Sequence, residues 1–223
     1  MKSSLDKALV IILAVILPFI LLLGAVRLIM TPQFPKLEYQ RPGFPADPYG
    51  FSAEERTKWS AYAVNYLVND ADISYLQELR FADGRQLYRV EELSHMEDVK
   101  SVVRTALTVW YGLIGAAFAL GAWFAVMGSW RTLGKAVRTG AWLSIGLIAF
   151  IVVMTAVSFN TLFDRFHRLF FTEGSWLFYQ NDTLIRLFPL VFWRDAFLLV
   201  GLTVLLAAGL LLWITRGVRR KES

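Results

Sequence analysis

The chain has 223 residues, of which 56% are hydrophobic and only 18% charged, a balance too apolar for an ordinary soluble domain, whose apolar share is about 45–50%. The absence of cysteine excludes disulfides, thiolate metal sites and a cysteine nucleophile. The net charge of +5 comes with no nucleic-acid-binding motif and no aromatic-basic patch, so no nucleic acid is expected as a partner.

The apolar residues gather into four runs, at about 8–29, 104–128, 139–158 and 191–214. About 20 apolar residues cross ~30 Å of hydrocarbon, so each run predicts a transmembrane helix. The expected fold class is an all-α integral membrane protein. One membrane domain over 1–223 would carry a mainly helical extracytoplasmic cap, about 31–103, and a short outer loop, about 159–190. The first run is longer than the 7–15 apolar residues of a signal-peptide core. "LLLGA" within it lacks the cysteine of a lipobox, so it reads as an uncleaved anchor.

Basic residues near span ends favour the cytoplasmic side. Lys2 and Lys7 precede the first span, and Arg131, Lys135 and Arg138 fill the connection between the second and third. Arg216, Arg219, Arg220 and Lys221 follow the fourth. Both termini are therefore expected inside, and the cap and the 159–190 loop outside. Charges within the spans are nearly absent, which disfavours an ion channel or proton-coupled carrier. Arg27 and Asp195, near outer ends, are exceptions that can pair with the cap, with headgroups or with each other. Gly112, Gly115, Ala116 and Gly121 give the second span a small-residue face, and Gly140 with Ser144 does so for the third. Such faces let helices approach closely.

In the cap, the prolines between Thr31 and Pro48 predict an extended, irregular stretch. "SAEE", Ser52 to Glu55, is a capping box that opens a helix to about Val68. Trp59, Tyr62, Ala63, Tyr66 and Leu67 supply its apolar face. "SYLQ", Ser74 to Gln77, is a second such match, and Asp83-Gly84 reads as a turn. The cap has too little apolar content to stand alone, so it is expected to pack on the membrane surface and outer helix ends.

The chain has two histidines, one in each outer segment. "SHME", Ser94 to Glu97, is a third capping-box match, which would put His95 at a helix start that favours a neutral imidazole. Asp98, three residues on, pulls towards the charged form. His167 follows Asp164 by three in "FNTLFDRFHRLFF", where Phe159, Phe163, Phe166 and Phe170 mark one face of an interfacial helix. Asp164 and Arg168 form a helix-stabilising pair, and His167 can share the carboxylate. Two histidines with carboxylates can also begin a metal site, but no HExxH or similar spacing is present, and no metal or cofactor is expected. GxSxG and glycine-rich phosphate loops are absent too. An interfacial histidine that merely hydrogen-bonds a headgroup is the bland alternative.

"ELSHMEDVK" before the second span, with "FDRFHRLFF" and then "DTLIRLFP" after the third, resembles the bacterial lipoprotein intramolecular transacylase family, Lit. The resemblance covers nearly the whole chain. It implies a bacterial plasma-membrane enzyme that needs no cofactor. Its substrate would be a diacylglyceryl lipoprotein, whose sn-2 acyl chain moves from the S-linked glycerol to the α-amino group of the N-terminal Cys. The product is the lyso form. His95 and His167 match the family's catalytic histidines, one to deprotonate the amine and the other to protonate the leaving oxygen. An acyl-imidazole on one of them is an alternative. Asp98 and Asp164 would tune the rings. Arg168, or backbone N–H groups at the His95 helix start, would stabilise the oxyanion. Membrane lipids are expected neighbours. Two other readings stay open: a lipid or lipoprotein esterase using the same histidines, and a non-catalytic four-helix membrane adaptor.

Overall fold

A computed structural model describes residues 4–220, with side chains through residue 216. Lys2 and Lys221 lie outside the described residues, as do the side chains of Arg219 and Arg220. Among the described residues there are eight helices and no strand, only an isolated bridge between Arg80 and Gln86. The helices are α1 (Ser4–Ile29), α2 (Gln33–Gln40), α3 (Ala53–Val68), α4 (Ser74–Gln77), α5 (Val90–Val126), α6 (Trp130–Phe170), α7 (Thr183–Leu187) and α8 (Leu190–Arg220). Four of them, α1, α5, α6 and α8, are long and apolar enough to cross a membrane.

At 1.5 Å per residue, the 37 residues of α5 extend ~55 Å and the part of α6 before its break, residues 130–157, ~40 Å, both beyond ~30 Å of hydrocarbon. The surplus is visible as charge. Glu91, Glu92, Glu97, Asp98, Lys100 and Arg104 occupy the early turns of α5, so its membrane-crossing length lies past them. In α6 the backbone breaks at Ser158 (φ −158°, ψ 81°), and Asp164, Arg165 and Arg168 lie beyond that kink. Both histidines therefore fall outside the crossing segments. The α5–α6 connection is shorter than expected: Gly128 adopts φ +61°, and Arg131, Lys135 and Arg138 sit on α6 itself.

The chain divides into two compact units. The first comprises Met1–Val26, Leu107–Ala156 and Leu198–Ser223. Here α1 and α6 meet so closely that a Cβ on Gly140 would lie 2.8 Å from Leu17 and 2.9 Å from the Ala14 carbonyl oxygen. Ser144, fully buried, donates to the Gly140 carbonyl at 2.8 Å. Trp110 of α5 packs on Gly24 and donates its indole N–H to the Ile20 carbonyl at 3.0 Å. The other expected small-residue face differs: nothing lies within 4 Å of a Cβ built on Gly112, Gly115 or Gly121. Small residues permit close packing, but only the α6 face has a neighbour that uses it.

The second unit comprises Arg27–Ala106 and Val157–Phe197. It has its own buried core, in which Trp59, Ala63 and Tyr66 of α3 meet Leu76, Leu87 and Tyr88, Leu93 and Met96 of α5, and Leu184 and Leu187 of α7. The cap of about 31–103 does not close this core alone. The 159–190 segment contributes the missing residues. The Ser52–Glu55 capping box is present in full. The other two matches are not. Ser74 is the first residue of α4 rather than its N-cap, and its backbone N–H donates to Asp72 at 2.9 Å, while α5 begins at Val90, not at Ser94. The proline stretch is not wholly extended either. Pro32 and Pro35 flank and enter the first turn of α2, where a missing N–H has no intrahelical partner to lose. Arg27 donates to the Met30 carbonyl, and Asp195 pairs with Arg41 and Arg194, so these two charges do not pair with each other.

Candidate active site

His95 lies in the second turn of α5. Glu92 reaches back to accept from the Arg89 backbone N–H at 2.8 Å, the returning half of a capping box, and this sets the helix start one turn earlier than Ser94 would. Glu92, Leu93, His95, Met96 and Lys100 share the buried face, while Glu91, Ser94, Glu97 and Asp98 are exposed. The macrodipole fades beyond the first turn, so it is not what governs His95. Burial is. His95 is 8% exposed, and burial, with the neighbouring His167 second, pushes its pKa down to about 4. Its Nδ1 is buried without a hydrogen-bond partner.

His167 lies in the last turn of α6, past the break at Ser158. Its Nδ1 is 2.8 Å from the Phe163 carbonyl oxygen. A carbonyl only accepts, so Nδ1 carries the proton and the neutral ring keeps its lone pair at Nε2. Burial also holds the His167 pKa below its usual value, opposed by the Phe163 carbonyl and by Asp164.

The two imidazoles face each other with centroids 6.3 Å apart and planes 23° from parallel. Phe171 touches both rings, at 5.0 Å from His95 and 5.6 Å from His167. Phe178 closes on His95 at 5.4 Å, and Phe163 and Trp176 on His167 at 4.1 and 5.8 Å. These enclosing residues were missed from sequence, although Phe163 and Phe171 stand four before and four after His167, the spacing of one helical face.

Of the expected supporting residues, Asp164 acts on His167 through its charge, without a hydrogen bond to the ring. Asp98 is exposed, and no hydrogen bond joins it to His95. Asp164 accepts from Arg168 at 2.8 Å, and Arg168 also donates to Glu173 at 2.8 Å. The Asp164–Arg168 bridge is as expected, but His167 bonds its own i−4 carbonyl rather than sharing the carboxylate. The expected oxyanion donors at a His95 helix start are also corrected, since His95 is not at that start and Glu92 occupies the Arg89 N–H. Among the described residues, no three His, Asp or Glu side chains gather to hold a metal ion.

The architecture is that of a multi-span, membrane-integral helical protein. It superimposes on the solved membrane-integral lipoprotein intramolecular transacylase Lit of Bacillus cereus with a TM-score of 0.79, at 18% identity over 99% of both chains. A form of that protein with a histidine replaced by arginine gives 0.78, also at 18% identity, over 99% of this chain and 95% of the other. An uncharacterized protein of Aquifex aeolicus is 30% identical over 196 residues, 88% of each chain. The family model for lipoprotein intramolecular transacylase Lit matches residues 11–193. The chain belongs to the Lit family; it is an acyltransferase of lipoproteins.

Proposed function

We propose that this enzyme moves the sn-2 acyl chain of an S-diacylglyceryl group to the α-amino group of the N-terminal Cys of the same lipoprotein. His95 and His167 are the acid–base pair. The observation that carries this is the pairing of two neutral-leaning imidazoles, the half-buried His167 with a free Nε2 and the buried His95 with an unpartnered Nδ1. The amine attacks the ester carbonyl, the N–C bond forms, and the C–O bond to glycerol breaks. His167 takes the amine proton at Nε2. His95 passes the proton of one ring nitrogen to the departing glycerol oxygen while the other ring nitrogen receives the proton that His167 took, so His95 never carries a net charge and His167 returns to neutral. That suits a ring whose cation burial disfavours. One proton leaves nitrogen, one reaches oxygen, and both rings end neutral, with His95 in its other tautomer until its ring proton exchanges back. Donor and acceptor belong to one molecule, so positioning supplies much of the rate. The surrounding aromatic rings keep out the water that would hydrolyse the ester.

Asp164 and Arg168 act as positioning residues that brace the turn carrying His167, and Asp98 contributes little. The setting is the outer face of a bacterial plasma membrane, with both termini cytoplasmic. The basic residues Lys7, Arg131, Lys135, Arg138 and Arg216 support that orientation.

The test is fragment-ion mass spectrometry of a diacylglyceryl lipopeptide incubated with the purified protein in detergent. The total mass stays constant while one acyl chain moves from glycerol to nitrogen. His95→Ala and His167→Ala, folded normally, abolish the change. Loss of an acyl mass as free fatty acid would mean an esterase. Full turnover in either folded variant would refute the acid–base pair.

A further inference from the structure

A second concavity lies within the second unit, with about 370 Å³ of space. Its charged lining is balanced: Arg85, Arg89 and Arg186 stand against Glu55, Glu92 and Asp182. Each arginine already faces a carboxylate, Arg85 with Asp83 at 2.7 Å, Arg89 with Asp182 at 3.1 Å and Arg186 with Asp47 at 2.9 Å. A phosphate site needs surplus positive charge, and this cleft has none to offer. What it offers is uncharged hydrogen bonding. The 79–87 turn pairs through the Phe81 N–H to the Arg85 carbonyl at 2.9 Å and the Leu87 N–H to the Leu79 carbonyl at 3.0 Å. Successive residues of an extended segment present their amides to opposite sides. Gln86, between them, therefore turns its N–H and C=O away from that pairing, and no other described residue takes them up. Exposed Asn181 stands in the same lining with a free amide side chain.

We infer that this cleft binds the polypeptide just downstream of the lipidated cysteine, as an extended strand added to the backbone edge at Gln86. Edge addition suits a substrate class whose side chains vary, because the bonds go to the main chain. The inference rests on the lipoprotein reading of the histidine pair. The distance fits. Glu92 lines the cleft and precedes His95 by one helical turn, about 4.5 Å along α5 at 1.5 Å per residue. An extended chain advances about 3.3 Å per residue, so the second to fourth residues of the lipoprotein reach it.

Two measurements on the full chain in detergent test the inference. First, diacylglyceryl-Cys lipopeptides of increasing length are compared, along with versions N-methylated singly at the second, third or fourth residue. KM falls as these residues are added and then levels. One N-methyl position raises KM about 3- to 10-fold, the loss of one backbone hydrogen bond, with kcat unchanged. Second, the cysteine-free chain takes a single Asn181→Cys and, as a control, Asp70→Cys, whose side chain is fully exposed. A lipopeptide carrying a bromoacetyl-lysine at the third or fourth residue labels Cys at 181 and not at 70. Equal labelling at both positions, or a KM indifferent to length and methylation while transacylation proceeds, overturns the cleft and leaves the reaction standing. Selective labelling without any transacylation upholds the cleft and overturns the reaction. No turnover and no selective labelling overturns both.

Discussion

At the scale of single residues, the site depends on what holds two imidazoles neutral. Burial lowers the pKa of both below the usual 6.5, His95 to about 4. The substrate amine, with a free pKa of roughly 7.7–8.0, then governs the acid limb of kcat/KM. The profile should rise through that range and show no break at 6.5. A break at 6.5 in the wild type would mean that an imidazole is solvated during turnover. The same burial sets a stability trend. Above pH 6.5 His95 is neutral in the folded and unfolded chain, and it contributes no slope. Below 6.5 the unfolded chain takes up a proton that the fold refuses, so stability falls from 6.5 down to about 4. The sequence made His95 and His167 stand out by number and placement. It did not reveal the Phe163 carbonyl as a partner for His167, because Asp164 is an equally near candidate on the same helix.

At the scale of elements, Glu92 matters more than its place in a charge-rich motif implies. It is 1% exposed, and burial raises its pKa against two backbone donors. One oxygen accepts from Arg89 N–H at 2.8 Å and the other from Leu184 N–H at 2.6 Å, so a single carboxylate joins the first turn of α5 to that of α7. Glu92→Ala leaves the buried Leu184 N–H without a partner, at about 1–3 kcal/mol, and removes the acceptor of the part-buried Arg89 N–H as well. We expect a lowered Tm, read by thermal unfolding in detergent, and Glu92→Gln should restore it only partly because its amide NH2 cannot accept. Glycines in the spans divide by neighbour. Gly140→Ala drives a Cβ to 2.9 Å from the Ala14 carbonyl oxygen and should lower Tm. Gly115→Ala meets nothing within 4 Å and should raise it slightly through helix propensity. Glycine spacing alone could not separate them, since the pattern is similar and only the facing residues differ.

At the scale of the molecule, the four apolar helices and the Lit family were legible because hydrocarbon thickness imposes a long, uninterrupted run. The second unit was less legible. Its core is assembled from residues far apart in sequence, and no local pattern announces such pairing. The α2 helix was hidden by prolines that first-turn positions tolerate, and the α5 start by Glu92 outcompeting Ser94. The enclosing Trp176 and Phe178 lie beyond the end of α6, where helical spacing predicts nothing.

The way that core is stitched also sets a timetable for the newborn chain. Tyr66, Leu76 and Met96 are synthesised early, yet they wait for Leu184 and Leu187 to close the cluster. Translation at about 5–20 residues per second makes that interval roughly 5–20 s, long on the scale of elementary folding events. During it the early segment has lipid and translocation machinery, but not its own core, to cover its aromatic residues. Nascent chains arrested before Leu184 should be cut by protease between Ala53 and Leu87. Chains arrested after α8 should resist.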